Sequence, residues 1–382
     1  MVIISKLLFD EKITSDISCK SVLHPWTNNC IKANMTSVAT RCFSGVFCFY
    51  ASIYLVKLLT NHKKLSKTYM KKIVNQLLRS WCYGVSYAAL TLNGVCLNYN
   101  ILGTFHYYTV GFLPGLLAGL SLLFENNENR LLNSLLWSTL VIEALLKNLY
   151  HFQIIHYSIF RETLMFMVVS SLLMYIIRKR SLKGQRIPPT LWIYYPTRNI
   201  FTLKSYLTEI IKYFALGYGL NSAKSLCSVI VNFRKSSMKM FFRAIFNQKN
   251  VKFGMVLGAY AALFRGSLFL FEKSNCYKET TNVALAGFIA GISYYIKPTI
   301  NILAIATVTV IQILLKENFK GTKSTKLVLI MLIYMFSNGI LFQNRFIAPI
   351  TCPKYYVNML QMASQQLIDD IYHRLINKYL KT

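Results

Sequence analysis

The chain has 382 residues, of which 54% are hydrophobic and only 15% are charged. Soluble globular proteins carry about 25% charged residues, so this composition argues against an ordinary soluble fold. The formal net charge is +30, but the basic residues lie between apolar runs and do not form a folded basic domain. We therefore expect no nucleic-acid partner, and we expect a lipid bilayer with anionic headgroups to supply the counter-charge.

Apolar segments recur along the chain at close to the length that crosses a bilayer, about 20 residues of helix. The sequence predicts an all-α polytopic membrane protein with about eight transmembrane helices in two blocks. The segment that ends at Leu315 is predicted to be one kinked crossing, because Lys297-Pro298 interrupts it. The predicted spans are residues 38–58, 78–97, 105–124, 131–150, 159–177, 253–271, 283–315 and 327–343.

Basic loops set the predicted orientation. The loops that follow the first and fifth spans are rich in lysine and arginine, whereas the loops between them are neutral or mixed. The positive-inside rule puts both basic loops on one face and both termini on the other. The predicted division is an amino-terminal cysteine-bearing segment (1–37), a first membrane block (38–180), a basic interfacial region (181–252), a second membrane block (253–343) and a carboxy-terminal tail (344–382).

Glycines four residues apart are typical of closely packed transmembrane helices, because small residues let helix backbones approach. The two predicted blocks carry such runs, which indicates either an internal duplication or the general abundance of small residues in membrane helices. The glycines are Gly111, Gly115, Gly119, Gly254, Gly258, Gly287 and Gly291.

Ionisable residues within the predicted spans are costly and suggest a function or a structural pair. Glu143 and Lys147 are four apart with the acid first, which favours an intrahelical pair over a transport site. Arg265 falls in the middle of a span, and its candidate partners are Glu279, Glu143 and Glu162.

Cys19, His24 and Cys30 are close in sequence and could hold zinc or form a disulfide. Three candidates fall short of the four ligands of a structural zinc site, so a thiol pair or free thiols is favoured and no metal is expected. Cys96 lies in an apolar run and is interpreted as a small buried hydrophobe.

Motifs of enzymes are missing from the sequence. There is no glycine-rich phosphate loop with lysine, no Gly-x-Ser-x-Gly and no His-Glu-x-x-His. We therefore expect no catalytic residues, no cofactor and no enzymatic activity.

One predicted hairpin has a distinctive spacing that runs from Ala261 and Phe264 through Asn275 and Glu279 to the Gly287-x3-Gly291 pair. This spacing resembles the signature of the superfamily that includes mitochondrial protein-import channels and a peroxisomal membrane protein. Asn275 replaces the expected arginine and Glu279 the expected aspartate, so the hairpin's charge pair is either lost or rebuilt through Lys273 or Lys278.

Three further segments of the sequence are distinctive: Cys19-x4-His24-x-Trp26-x3-Cys30, Pro114-Gly115 with the run to Glu143-Ala144-Leu145-Leu146, and Phe253-Gly254 through Ala286-Gly287-Phe288-Ile289-Ala290-Gly291-Ile292-Ser293. With them the chain resembles, more closely and over most of its length, the transmembrane protein 135 family. The resemblance implies a mitochondrial or peroxisomal membrane and a role in fission and fusion balance or lipid homeostasis. Fission machinery or other membrane proteins are the implied partners. A transporter or translocation channel with a polar path between glycine-rich helices is the alternative.

Overall fold

The computed structural model describes residues 6, 9, 18–60, 66–184, 202–231, 238–274, 278–318 and 323–380. Helices make up the regular structure of these residues, and no strand occurs among them. The helices are α1 (Cys19–Leu23), α2 (Cys30–Ser37), α3 (Phe43–Thr60), α4 (Lys67–Leu102), α5 (Phe112–Ala118), α6 (Asn127–His151), α7 (Ile159–Leu182), α8 (Leu203–Val231), α9 (Met238–Ile245), α10 (Gln248–Ser274), α11 (Glu279–Ala290), α12 (Ile300–Asn318), α13 (Lys323–Ile347), α14 (Lys354–Ser364) and α15 (Leu367–Leu380).

Four helical segments within the described residues are long and apolar enough to cross a membrane. They are Cys30–Leu55, which runs from α2 through a π-turn into α3, and Ile159–Leu182, Phe242–Ser274 and Thr325–Ile347. Each overlaps a predicted span. The all-α membrane fold is thus confirmed, with four candidate spans where about eight were predicted.

In two of the other predicted spans the helix is shorter than predicted. The helical part of 105–124 begins only at Phe112, so its α-turns and 3₁₀-turns reach about 22 Å, less than the roughly 30 Å of a bilayer core. The predicted crossing 283–315 is two helices, because the chain leaves helical geometry at Lys297-Pro298 and proline lacks the backbone N–H that a continuous helix needs. The predicted spans 78–97 and 131–150 lie inside α4 and α6, which are helical but more polar.

The first compact unit combines residues 1–152 with 321–382. Its helix α13 packs against α5 and α6, and α14 packs against α3. Trp137 stands at the centre, with its ring centroid 5.7 Å from that of Tyr334 and 5.2 Å from that of Tyr356 in edge-on geometry. The last long apolar helix therefore belongs with the amino-terminal helices, whereas the sequence assigned it to a separate second block.

The second compact unit comprises residues 153–320. Its helix α10 packs along α8, α11 packs against α7 and α10, and α12 packs against α7. Helix α8 lies within the predicted basic interfacial region. Residues 185–201 and 232–237 of the predicted basic region lie outside the described residues.

Helix α7 shows how these helices face their surroundings. Phe160, Leu164, Val168 and Leu172 recur every fourth residue and are 44–71% exposed. Residues on the opposite side, including Leu173, are buried. An exposed stripe of large apolar side chains on a 24-residue helix is what a lipid-facing surface requires.

Glycines of the first unit let α13 approach the segment that contains α5. A Cβ added at Gly111 would lie 2.7 Å from Cα of Gln343, and one at Gly115 would lie 2.7 Å from the backbone oxygen of Asn338. At Gly119 the distance to Cα of Met335 would be 2.6 Å. Because the obstructing atoms are backbone, any side chain here would push the helices apart.

Glycines of the second unit occupy similar contacts. A Cβ at Gly254 would lie 3.0 Å from the Phe214 ring and one at Gly258 would lie 3.2 Å from its Cβ. A Cβ at Gly287 of α11 would lie 2.9 Å from Met174, and one at Gly291, in the 3₁₀-turn after α11, would lie 2.6 Å from Cα of Met167. The predicted glycines thus sit at contacts with other helices, α8 and α7, and not with each other.

We predict that Gly115→Ala lowers the melting temperature of the detergent-purified protein, because overpacking of this kind typically costs about 1–3 kcal/mol. Gly219→Ala is the matched control, since nothing lies within 4 Å of its added Cβ and alanine favours helix. Equal melting temperatures for Gly115→Ala and the wild-type protein would show that the α5–α13 contact is not tight.

Candidate functional site

Four side chains from three parts of the first unit converge on one point. Cys19 is the first residue of α1, His24 follows that helix, Cys30 is the first residue of α2, and Cys96 lies near the carboxyl end of α4. Their ligand atoms, three sulfurs and one imidazole nitrogen, all lie within 4.8 Å of one another. Cys19, His24 and Cys96 are buried, and Cys30 is partly exposed.

Local capping shapes the amino-terminal part of this cluster. Ser18 accepts a hydrogen bond from the amide of Ser21 at the start of α1, and Asn29 accepts one from the amide of Lys32 at the start of α2. Such side chains satisfy amides that have no partner in the first helical turn. The two short helices therefore begin at Cys19 and Cys30, which brings their sulfurs 3.7 Å apart.

Neighbouring polar groups orient the cluster. Nδ1 of His24 donates to the backbone oxygen of Thr27 at 2.9 Å, which leaves Nε2 as the ring nitrogen available to a ligand. That Nε2 lies 3.7 Å from the Cys96 sulfur. Asn34, which is buried, donates through Nδ2 to the same sulfur at 3.4 Å and to Asn93 at 3.1 Å.

Cys96 is the residue that the sequence reasoning missed. It lies 72 residues from His24, inside a helix, and no spacing rule links the two. The sequence predicted three candidate ligands, Cys19, His24 and Cys30. The folded chain brings a fourth, Cys96, to the same point, so that count is wrong. All three cysteines are free thiols. Burial, and then the hydrogen bond to Cys30, raises the pKa of the Cys19 thiol to about 12, unlike the lowered pKa of a reactive cysteine.

Arg265 is paired within the second unit. Its Nε lies 2.7 Å from Oε2 of Glu209 on α8, and the side chains are only 6% and 14% exposed. Glu209 was not among the predicted partners, because the sequence placed it in the basic interfacial region. The predicted partner Glu162 instead accepts a hydrogen bond from the Tyr294 hydroxyl at 3.2 Å.

Glu279 forms an ion pair with Arg178 of α7. The expectation from the sequence was that this charge pair is either lost or rebuilt through Lys273 or Lys278, which precede Glu279 in the hairpin. The observed partner comes from another helix and ties α11 to α7. Asn275, the position where the import signature has arginine, lies outside the described residues.

Two further ion pairs with a buried member lie among the described residues of the first unit. Lys147 Nζ lies 2.6 Å from Glu143 Oε1 within α6. Arg345 at the end of α13 pairs with Asp369 of α15, and its guanidinium lies 4.9 Å from the Tyr372 ring centroid. No sequence pattern predicted the Arg345 pair, because Asp369 belongs to the predicted tail.

Comparison with known families singles out the amino-terminal part of the chain. Residues 16–154 match the family described as the N-terminal cysteine-rich region of Transmembrane protein 135. That range contains all four residues of the thiol and imidazole cluster. No solved structure matches the chain.

We predict that Arg265→Leu and Glu209→Leu each destabilise the protein strongly, by about 3–5 kcal/mol, because each leaves a buried charge without its partner. The double variant should recover most of the lost melting temperature, since replacing both partners removes the uncompensated charge. Arg161→Leu, at an exposed position of α7, is the control and should change little. A double variant as unstable as the single ones would contradict the pairing.

Proposed function

Because residues 16–154 carry the cysteine-rich region of the transmembrane protein 135 family, we propose that this membrane protein is a non-enzymatic organiser of organellar membranes. It would act in mitochondrial or peroxisomal membranes, on the balance of fission and fusion and on lipid homeostasis. Its basic face would hold anionic lipid and recruit partners, fission machinery or other membrane proteins. The family match and the four candidate spans support this assignment.

A polar cavity on the first unit is the observation that carries the proposal. Lys72 and Arg79 of α4 line it together with Glu125 and Arg130, and its volume is about 320 Å³. Arg79 donates to the side-chain oxygen of Asn126 at 2.9 Å, so the loop before α6 lies against the basic end of α4. The predicted topology likewise puts these two stretches on one face.

Cationic side chains around such a cavity suit the phosphate of an anionic lipid headgroup. Each basic residue near an anionic membrane surface contributes about 1 kcal/mol of attraction. Glu125 is 2% exposed and accepts hydrogen bonds from Ser80, from the Asn126 amide and from Asn129. Its carboxylate thus has hydrogen-bond partners inside the protein, and the cationic side chains of Lys72, Arg79 and Arg130 make the opening of the cavity positive.

A transporter or translocation channel is the second candidate. Arg265 favours it, since a buried arginine within the candidate span Phe242–Ser274 is a common feature of substrate paths. Its close pairing with Glu209, and that of Glu143 with Lys147, instead fits a structural role. We therefore rank transport below the organising role.

We predict that Lys72→Gln/Arg79→Gln fails to restore mitochondrial shape in cells that lack this protein, because the cavity loses two of its cationic side chains and keeps only Arg130 opposite Glu125. Lys273→Gln/Lys278→Gln removes the same charge from the second unit, outside the cavity, and should restore shape like the wild-type chain. Mitochondrial length distributions at matched protein levels provide the measurement.

The same cells separate the two candidates. The Arg265→Leu/Glu209→Leu variant should restore mitochondrial shape if the pair is structural. Three results together would overturn the organising role in favour of transport. The Arg265→Leu/Glu209→Leu variant would fail to restore mitochondrial shape in cells and would lose solute flux in reconstituted vesicles. The Lys72→Gln/Arg79→Gln variant would restore mitochondrial shape fully.

A further inference from the structure

We propose that Cys19, His24, Cys30 and Cys96 bind one Zn²⁺ ion in a tetrahedral site with three sulfur ligands and one nitrogen ligand. The inference concerns how the amino-terminal region is held together. It does not depend on the proposed organising role.

The distances match such a site. Zinc bound by thiolate has Zn–S bonds of about 2.3 Å, so two sulfurs of a tetrahedron lie about 3.8 Å apart. The Cys19 and Cys30 sulfurs are 3.7 Å apart, and Cys96 Sγ is 3.7 Å from His24 Nε2. All four ligand atoms lie within 4.8 Å of one another. Side-chain movements of about 1 Å or less would therefore bring them to the corners of a tetrahedron around one ion.

The surroundings are those of a metal ligand set. A ligating histidine almost always donates its other ring N–H to an oxygen, and His24 Nδ1 does so to Thr27. Asn34 donates to the Cys96 sulfur, which stabilises the negative charge of a thiolate, and Asn93 fixes the Asn34 amide. A simple disulfide between Cys19 and Cys30 would use neither the His24 orientation nor Cys96.

The chemistry of binding balances without an oxidant. Each of the three thiols releases its proton to solvent as it binds the ion, and His24 binds as neutral imidazole through Nε2. Three thiolates with one imidazole in a tetrahedron select zinc over magnesium or calcium, which prefer oxygen ligands. All four coordination positions are protein atoms, so the site is structural and not catalytic.

The ion would clamp the amino-terminal helices to α4. Cys19 and Cys30 start α1 and α2, whereas Cys96 belongs to α4, and His24 and Cys96 are 72 residues apart in sequence. Helix α15 packs against α1. Loss of the ion would therefore loosen both chain ends within the first unit.

Metal content tests the site directly. The full chain, purified in detergent and dialysed against metal-free buffer, should hold about one zinc per chain by inductively coupled plasma mass spectrometry. Cys96→Ser should lose most of this zinc. Cys82→Ser, an exposed cysteine on the same helix, is the matched control and should retain it. Wild-type protein without zinc that also binds none on addition of ZnCl₂ would overturn the proposal.

Thiol accessibility of the wild-type chain provides a test that does not depend on a variant's folding. Cys19, Cys30 and Cys96 should resist alkylation by N-ethylmaleimide in the native protein and react after a zinc chelator is added, as located by peptide mass spectrometry. A Cys19–Cys30 disulfide in the isolated protein, or alkylation of the three thiols unaffected by chelator, would contradict zinc binding.

Discussion

Polar side chains in apolar helices constrain this structure, because hydrocarbon offers them no hydrogen-bonding partner. Arg265 reaches Glu209 on another helix, Arg345 reaches Asp369, and Glu279 reaches Arg178. Each contact joins two helices of one unit. The arrangement of the helices thus follows from where charged groups find opposite charges, as well as from apolar packing.

The thiol and imidazole cluster obeys the same constraint. His24 is 1% exposed and bonds to the backbone oxygen of Thr27, and Asn34 is 2% exposed and donates to the Asn93 side chain and the Cys96 sulfur. Buried polar networks are costly unless their members are satisfied. A cation bound by the three thiolates would balance their negative charge, as arginine balances the carboxylates in the ion pairs. Both kinds of site thus compensate buried charge.

Hydropathy in the sequence was enough to predict the helical membrane class and the four long apolar helices. About eight spans were predicted and the described residues hold four candidates, so the higher count is not confirmed. An apolar run says nothing of where the backbone bends, and here a helix begins only at Phe112 and another stretch is divided at Pro298. Sequence proximity identified Cys19, His24 and Cys30 but not Cys96, and it missed Glu209 as the partner of Arg265. Both omissions are contacts between helices distant in sequence, for which spacing within one helix carries no information.

Alkaline carbonate extraction of cell membranes tests the central claim, that hydrocarbon surrounds the exposed apolar faces of these helices. High pH strips proteins held only by charge and leaves those inserted in the bilayer. The account predicts that the chain stays in the membrane pellet and is solubilised only by detergent. Release of the intact chain into the carbonate supernatant would contradict it, since the basic residues alone would then account for membrane binding.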